Sequence, residues 1–176
     1  MLKKEKGLRN HNKKTYFNKS DAHDGYEYML CYHPNGLYAG VDVPSGDGTN
    51  NIHSGGIYPP SDEWFNLSLS YDSDINFARL FLNGDLIAEG DIDSSLDTGT
   101  HGHLAIGSYF EDSEQPHPGY IFIGEIREIM ISNTPRHSSD FTPETTFNSD
   151  NHTTAHYIFN SGENDILYDH SGNQNH

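Results

Sequence analysis

WFNLSLSYDSDINFARLFLNGDLIAEG, residues 64–90, is the stretch on which the fold turns. From Trp64 to Asp72, Phe65, Leu67, Leu69 and Tyr71 alternate with Asn66, Ser68 and Ser70, the period of a strand with one face in a core. Phe77 to Leu82 is predicted as a second strand. Asn83-Gly84 then supplies two residues that accept positive φ, as a tight type I′ hairpin requires, before Asp85 to Glu89 turns back. Trp64, at the head of the stretch, is assigned to the core.

Working outward, Tyr26 to Tyr32 is rich in aromatic and apolar residues and runs into His33-Pro34-Asn35-Gly36, a strong turn signal, with Leu37 to Val43 as its return strand. Pro44 to Asn51 reads as a polar loop. Leu104 to Tyr109 and Tyr120 to Ile131 are predicted as further strands, separated by EDSEQPHPG, which Pro116 and Pro118 keep out of regular structure and place on a rim. Residues 136–153 lie in a Ser-, Thr-, Asn- and Pro-rich stretch and read as a polar linker, after which Thr154 to Phe159 is one more apolar run. No helical period is evident. Aromatics at 12% and 17 glycines suit many short strands joined by turns, so an all-β antiparallel sandwich is predicted, within the size of one domain.

Charge is divided unevenly. Residues 1–19 hold seven of the ten basic residues (Lys3, Lys4, Lys6, Arg9, Lys13, Lys14, Lys19) against Glu5, and read as a solvated, disordered basic head. From Ser20 onward three arginines, Arg79, Arg127 and Arg136, face twenty-five acidic residues, and no lysine occurs. A body this acidic is a poor partner for nucleic acid, whose phosphates need clustered Lys and Arg. No apolar run is long enough to span a membrane, and the Lys-rich start leads into no signal core, so an export signal would lie outside the chain. Cys31 is the sole cysteine, which excludes an intrachain disulfide and reads as a buried thiol. Asn18, Asn66 and Asn151 begin Asn-x-Ser/Thr triplets.

Several of these pieces, taken in order, resemble a known family. Trp64 with Leu67 and Leu69, RLFLNGDLIAEG at Arg79 to Gly90, LAIGS at Leu104 to Ser108 and YIFIGEIREIMISN at Tyr120 to Asn133 look like the central and penultimate strands of laminin-G-like, concanavalin A-like jelly rolls. The resemblance places the sandwich at residues 20–135. Two departures follow from it. One or two strands expected ahead of Phe17 to Cys31 are missing, and residues 154–176, ending in Asp-x-Ser-Gly-Asn, resemble the start of such a unit rather than its end. The chain is then either cut from a tandem array or closed by its terminal strand folding back as in a permuted domain. An unfilled gap would expose a strand edge and invite a homodimer.

Catalysis finds little support in the residues. Glycanases of this fold place two carboxylates on one strand at alternate positions. The nearest segment here, Glu125-Ile126-Arg127-Glu128, puts its two glutamates on opposite faces. No nucleophile-elbow, phosphate-loop or dinucleotide motif occurs, so a catalytic residue is not assigned. His101 and His103, and His152 and His156, have zinc-like spacing without a further ligand to complete a set. What the resemblance implies is Ca²⁺ on a rim loop, by position at Glu111 and Asp112, with Asp91, Asp93 and Asp97 as a looser acidic loop. Sugar binding needs an exposed ring to stack on a pyranose face, for which Tyr58, Tyr109 and Phe110 are the candidates. The function implied is a non-catalytic, lectin-like module of an extracellular or cell-surface protein binding glycan. A tandem-array adhesion module contacting protein, and a degenerate glycoside hydrolase, are the alternatives.

Overall fold

The computed structural model describes residues 1–4, 14–21, 25–43, 50–93, 103–108, 120–160 and 165–176. Among them there is no helix, and thirteen antiparallel strands form two layers. The front layer has the order β10-β2-β3-β4-β5, made of His103–Ile106, Lys14–Asp21, Gly25–His33, Gly36–Val43 and Asn51–His53. The back layer contains the hairpin sheet β7 (Leu67–Asp72), β8 (Phe77–Leu82) and β9 (Asp85–Asp91). Beside it lie β6 (Trp64–Phe65), β1 (Leu2–Lys4) and β11 (Gly124–Ile126), with β1 in the middle, and then β12 (Glu128–Ser132) paired to β13 (Thr153–Ile158). Only Asn66 separates β6 from β7, and only Arg127 separates β11 from β12.

The alternation from Trp64 to Asp72 does its expected work. Phe65 is fully buried in the core with Leu37, Ala39, Val41, Ala78 and Leu80, and Leu67, Leu69 and Tyr71 pack against them. Asn83 and Gly84 have φ of 53° and 86°, as the I′ turn demands, and Leu82 faces Asp85 across it. Burial of these apolar side chains is the main term holding the layers together. Cys31 is buried, as expected.

Three expectations are corrected. Trp64 is 39% exposed and carries the Arg127 guanidinium 5.6 Å above its ring, because it precedes buried Phe65 and so points the other way. The basic head contributes β1 and most of β2: Leu2 faces Phe65 on one side and Ile126 on the other, and Lys14 to Asp21 pairs with β3, so an early strand is present after all.

The segment predicted as a polar linker is instead a strap across the back layer. His137 N donates to Ser70 Oγ, Phe141 N to the Gly84 carbonyl and Leu86 N to Asp140 Oδ1. Phe141 stacks flat on His137, with ring centroids 3.4 Å apart, and meets Phe81 edge-on at 5.4 Å. Ser70 and Phe81, which alternate with the core-facing residues, are thereby buried as well. Gly84 is needed at the crossing, since a Cβ there would lie 1.9 Å from the Phe141 carbonyl oxygen. Arg136 anchors the strap by a bidentate pair with Asp150, at 2.6 and 2.7 Å.

The C-terminal strand folds back. β13 pairs with β12, and Tyr157 bridges to Asp169. Burial opposes ionisation of the Asp169 carboxyl. The amides of His156, Ser171 and Asn175 and the Ser171 hydroxyl outweigh it and hold the group well below the usual carboxylate range. The Asp-x-Ser-Gly-Asn stretch is thus a self-capped turn, tied to the strand by Asn173 Nδ2 donating to the Thr153 and Thr154 carbonyls.

Candidate functional site

The β3–β4 turn brings the rings of Tyr32, His33, Tyr38, His53 and Tyr58 close together. Pro34 and Asn35 form the turn, and Gly36 takes φ +118° because its missing Cβ leaves room for Ser54 Oγ and the amide of Gly56. The segment after β5 is laced onto this turn. Leu37 N donates to Ser54 Oγ at 2.8 Å and to the Ile57 carbonyl at 3.1 Å, Ser54 N donates to the Leu37 carbonyl, and Gly56 N donates to the Asn35 carbonyl at 2.7 Å. Tyr58 is set in place by this lacing.

Tyr58 is 48% exposed, and its hydroxyl donates to the Pro34 carbonyl at 2.9 Å. Its ring lies 5.8 Å from that of Tyr32, tilted by 55°. Burial, and secondarily the neighbouring Tyr58, push the Tyr32 hydroxyl above its ordinary pKa, so it stays protonated across the neutral range. The result is one ring braced by a second ring and by its own hydroxyl, with a face turned to water.

On the other side of the same hairpin, alternate residues of β3, β4 and β5 fall into a row: Cys31 faces Tyr38, and Tyr38 faces His53. His53 meets Tyr38 edge-on at 4.5 Å and His33 at 6.2 Å, and the Tyr38 hydroxyl donates to Asn51 Oδ1. His33, Tyr38, His53 and Asn51 escaped the sequence reading because strand register, which alone brings them together, is not written in any local motif. Tyr38 is 7% exposed, so this row braces the turn from beneath and leaves Tyr58 as the ring face turned to water.

The remaining candidates are placed as follows. Tyr109, Phe110, Glu111, Asp112, Asp97 and His101 lie outside the described residues. Asp91 and Asp93 are exposed at the end of β9, with the Asp93 amide bonded to Asn50 Oδ1. Glu125 is exposed, whereas Glu128 is 4% exposed, so the two share no solvent-filled cleft. Glu128 Oε1 lies 2.7 Å from His156 Nε2 and accepts the Phe147 amide at 2.9 Å, and His156 Nδ1 lies 2.9 Å from Ser149 Oγ. His156 is therefore occupied in a buried polar link between β12, β13 and the strap, while His152 is exposed at the preceding turn. No group of three or more His, Cys, Asp or Glu able to hold a metal occurs among the described residues.

With two antiparallel layers and a turn-borne aromatic corner in view, comparison with known families is informative. Residues 8–140 match the family described as the concanavalin A-like lectin/glucanases superfamily, in its laminin G form. The chain belongs to this superfamily. The match begins inside the basic head and ends within the strap, in keeping with the structural roles of both. A comparison with curated proteins finds no match. No helix among the described residues is long and apolar enough to cross a membrane.

Proposed function

We propose that the chain is a non-catalytic recognition module, acting outside the cell or at its surface, that binds glycan at the Tyr58 corner. The observation that carries this reading is the state of Tyr58, whose ring is nearly half exposed while its hydroxyl is tied to the Pro34 carbonyl and its edge to Tyr32. A large apolar face held in water without rotational freedom loses little entropy on binding, which favours a stacked pyranose. Superfamily membership supports the reading in kind. The buried Tyr38, packed edge-on against His53, stiffens the adjoining side of the turn. Ca²⁺ at Glu111 and Asp112 belongs to the same reading as a bridge to sugar hydroxyls.

Glycan-array screening of the parent chain, with and without Ca²⁺, tests the proposal. Binding is expected, with Tyr58→Ala weakening it about tenfold, equivalent to about 1.4 kcal/mol. Tyr58→Phe, which keeps the ring, should lose less. Absence of any bound glycan under both conditions, or equal binding by Tyr58→Ala, overturns it.

A further inference from the structure

Away from the Tyr58 corner, three side chains with nucleophilic or titratable groups are joined end to end. Glu128 lies on β12, His156 on β13 and Ser149 on the strap, and the β12–β13 register sets how the first two meet. Glu128 Oε1 is 2.7 Å from His156 Nε2, and His156 Nδ1 is 2.9 Å from Ser149 Oγ. The imidazole is therefore hydrogen-bonded at both nitrogens.

The partners fix the direction of these bonds. Glu128 Oε1 already accepts the Phe147 amide at 2.9 Å, so it serves as acceptor for His156 too. Nε2 then carries the proton, Nδ1 keeps a lone pair, and the Ser149 hydroxyl donates to it. The hydroxyl also lies 3.2 Å from the His170 carbonyl, the longer of its two contacts. Exposure differs along the link: Glu128 and His156 are each 4% exposed, whereas Ser149 is exposed on the strap. The imidazole has little freedom to turn away. The His156 amide donates to Asp169 Oδ1, its carbonyl accepts the His170 amide at 2.7 Å, and the rings of Phe147 and His170 lie 6.3 and 6.0 Å from its own. An exposed hydroxyl bonded to an imidazole that a buried carboxyl orients is the arrangement that activates a serine as a nucleophile.

We propose that Ser149 is a covalent modification site, which takes a single acyl group from an activated carboxylic ester. Ser149 Oγ bonds to the ester carbonyl carbon while its proton passes to His156 Nδ1, and Nε2–H stays directed at Glu128. The bond from that carbon to the leaving oxygen then breaks, and the proton on Nδ1 goes to the leaving group as an alcohol or phenol. Nothing is oxidised or reduced. Releasing the acyl group again requires a water at the same nitrogen. His156 is 4% exposed, with Phe147 and His170 beside it, so that nitrogen is shielded and the ester stays on Ser149. The serine is used once per chain, without turnover, and independently of glycan binding at Tyr58.

The probe is p-nitrophenyl acetate added to the full chain, with acetylation followed by timed peptide mapping in a mass spectrometer. The exposed Ser138 and Ser139 of the same strap are the internal standard. Ser149 is expected to be acetylated about a hundredfold faster than either, the contribution of a positioned base, and to keep the group after the reagent is removed. His156→Gln should bring Ser149 down to the rate of Ser138, and Glu128→Gln should slow it as well. The three serines share one folded molecule, so their comparison in the parent chain decides the matter even where a variant does not fold. Equal rates at Ser149, Ser138 and Ser139, an unchanged Ser149 rate in folded His156→Gln, or steady release of p-nitrophenolate that Ser149→Ala abolishes overturns the proposal.

Discussion

Gly84→Ala is the sharpest test of the strap. The substitution does two separable things. It places an alanine at φ +86°, a left-handed conformation costing about 1–2 kcal/mol. It also drives a Cβ to within 1.9 Å of the Phe141 carbonyl oxygen and 2.9 Å of Pro143 Cδ, so the crossing must open. Opening it sacrifices two hydrogen bonds, Phe141 N to Gly84 and Leu86 N to Asp140, each contributing about 0.5–1.5 kcal/mol. The Phe81–Phe141 contact, about 0.5–1.5 kcal/mol beyond area burial, goes with them. The total is about 2.5–6.5 kcal/mol, which for a chain of this size lowers Tm by about 5–26 °C. Gly55→Ala is the matched control: its φ is +63°, but an added Cβ meets nothing within 4 Å, so only the conformational part is felt. Thermal unfolding followed by circular dichroism on both variants decides the matter. Equal Tm for the two, or Gly84→Ala within 1 °C of the parent, would show that the strap does not lie on the hairpin as described.

Two further predictions concern the back of the molecule. His156→Ala leaves the buried Glu128 side chain without its imidazole partner and is expected to cost about 1–3 kcal/mol in denaturant unfolding, with much of the loss recovered in Glu128→Leu/His156→Leu. Full additivity of Glu128→Leu and His156→Leu would refute the link. The second is a pH effect. Hydrogen bonds from Arg136 and from the His152 amide hold the Asp150 carboxyl well below its ordinary range. A carboxyl depressed on folding contributes stability that is present above about pH 4, its unfolded value, and is lost as pH falls through the folded value. Arg136→Gln should therefore flatten the acid limb of a stability–pH curve below about pH 4. An unchanged limb would exclude the pair from the folding equilibrium.

What could be read from the residues was what local chemistry specifies. Asn83-Gly84 could only be a tight turn, and Phe65, Leu67 and Leu69 had to share a face. Tyr58, beside two prolines, was legible as a reachable ring. Trp64 was misread because aromatic size was weighed above strand parity, although parity with Phe65 already turned it outward. The basic head reads as solvated from its charge, whereas β1 pairs through its backbone and buries Leu2. The strap was illegible for another reason. Its composition is that of a loop, and its order derives from contacts such as Ser70 with His137 and Gly84 with Phe141, 57 to 67 residues apart, which no local pattern encodes. The Glu128–His156 link, 28 residues apart, was hidden in the same way.

The strap also changes what counts as surface. Ser68 and Ser70 have the spacing of water-facing positions, yet Ser70 lies beneath another layer of chain and bonds to it. The hairpin sheet is therefore a middle slab, wedged between the front strands and a ribbon with no regular structure of its own. Small side chains on its second side act as spacers. Bulk added there would prise the ribbon away and lay bare Phe81, so these serines are constrained by room and not by their affinity for water.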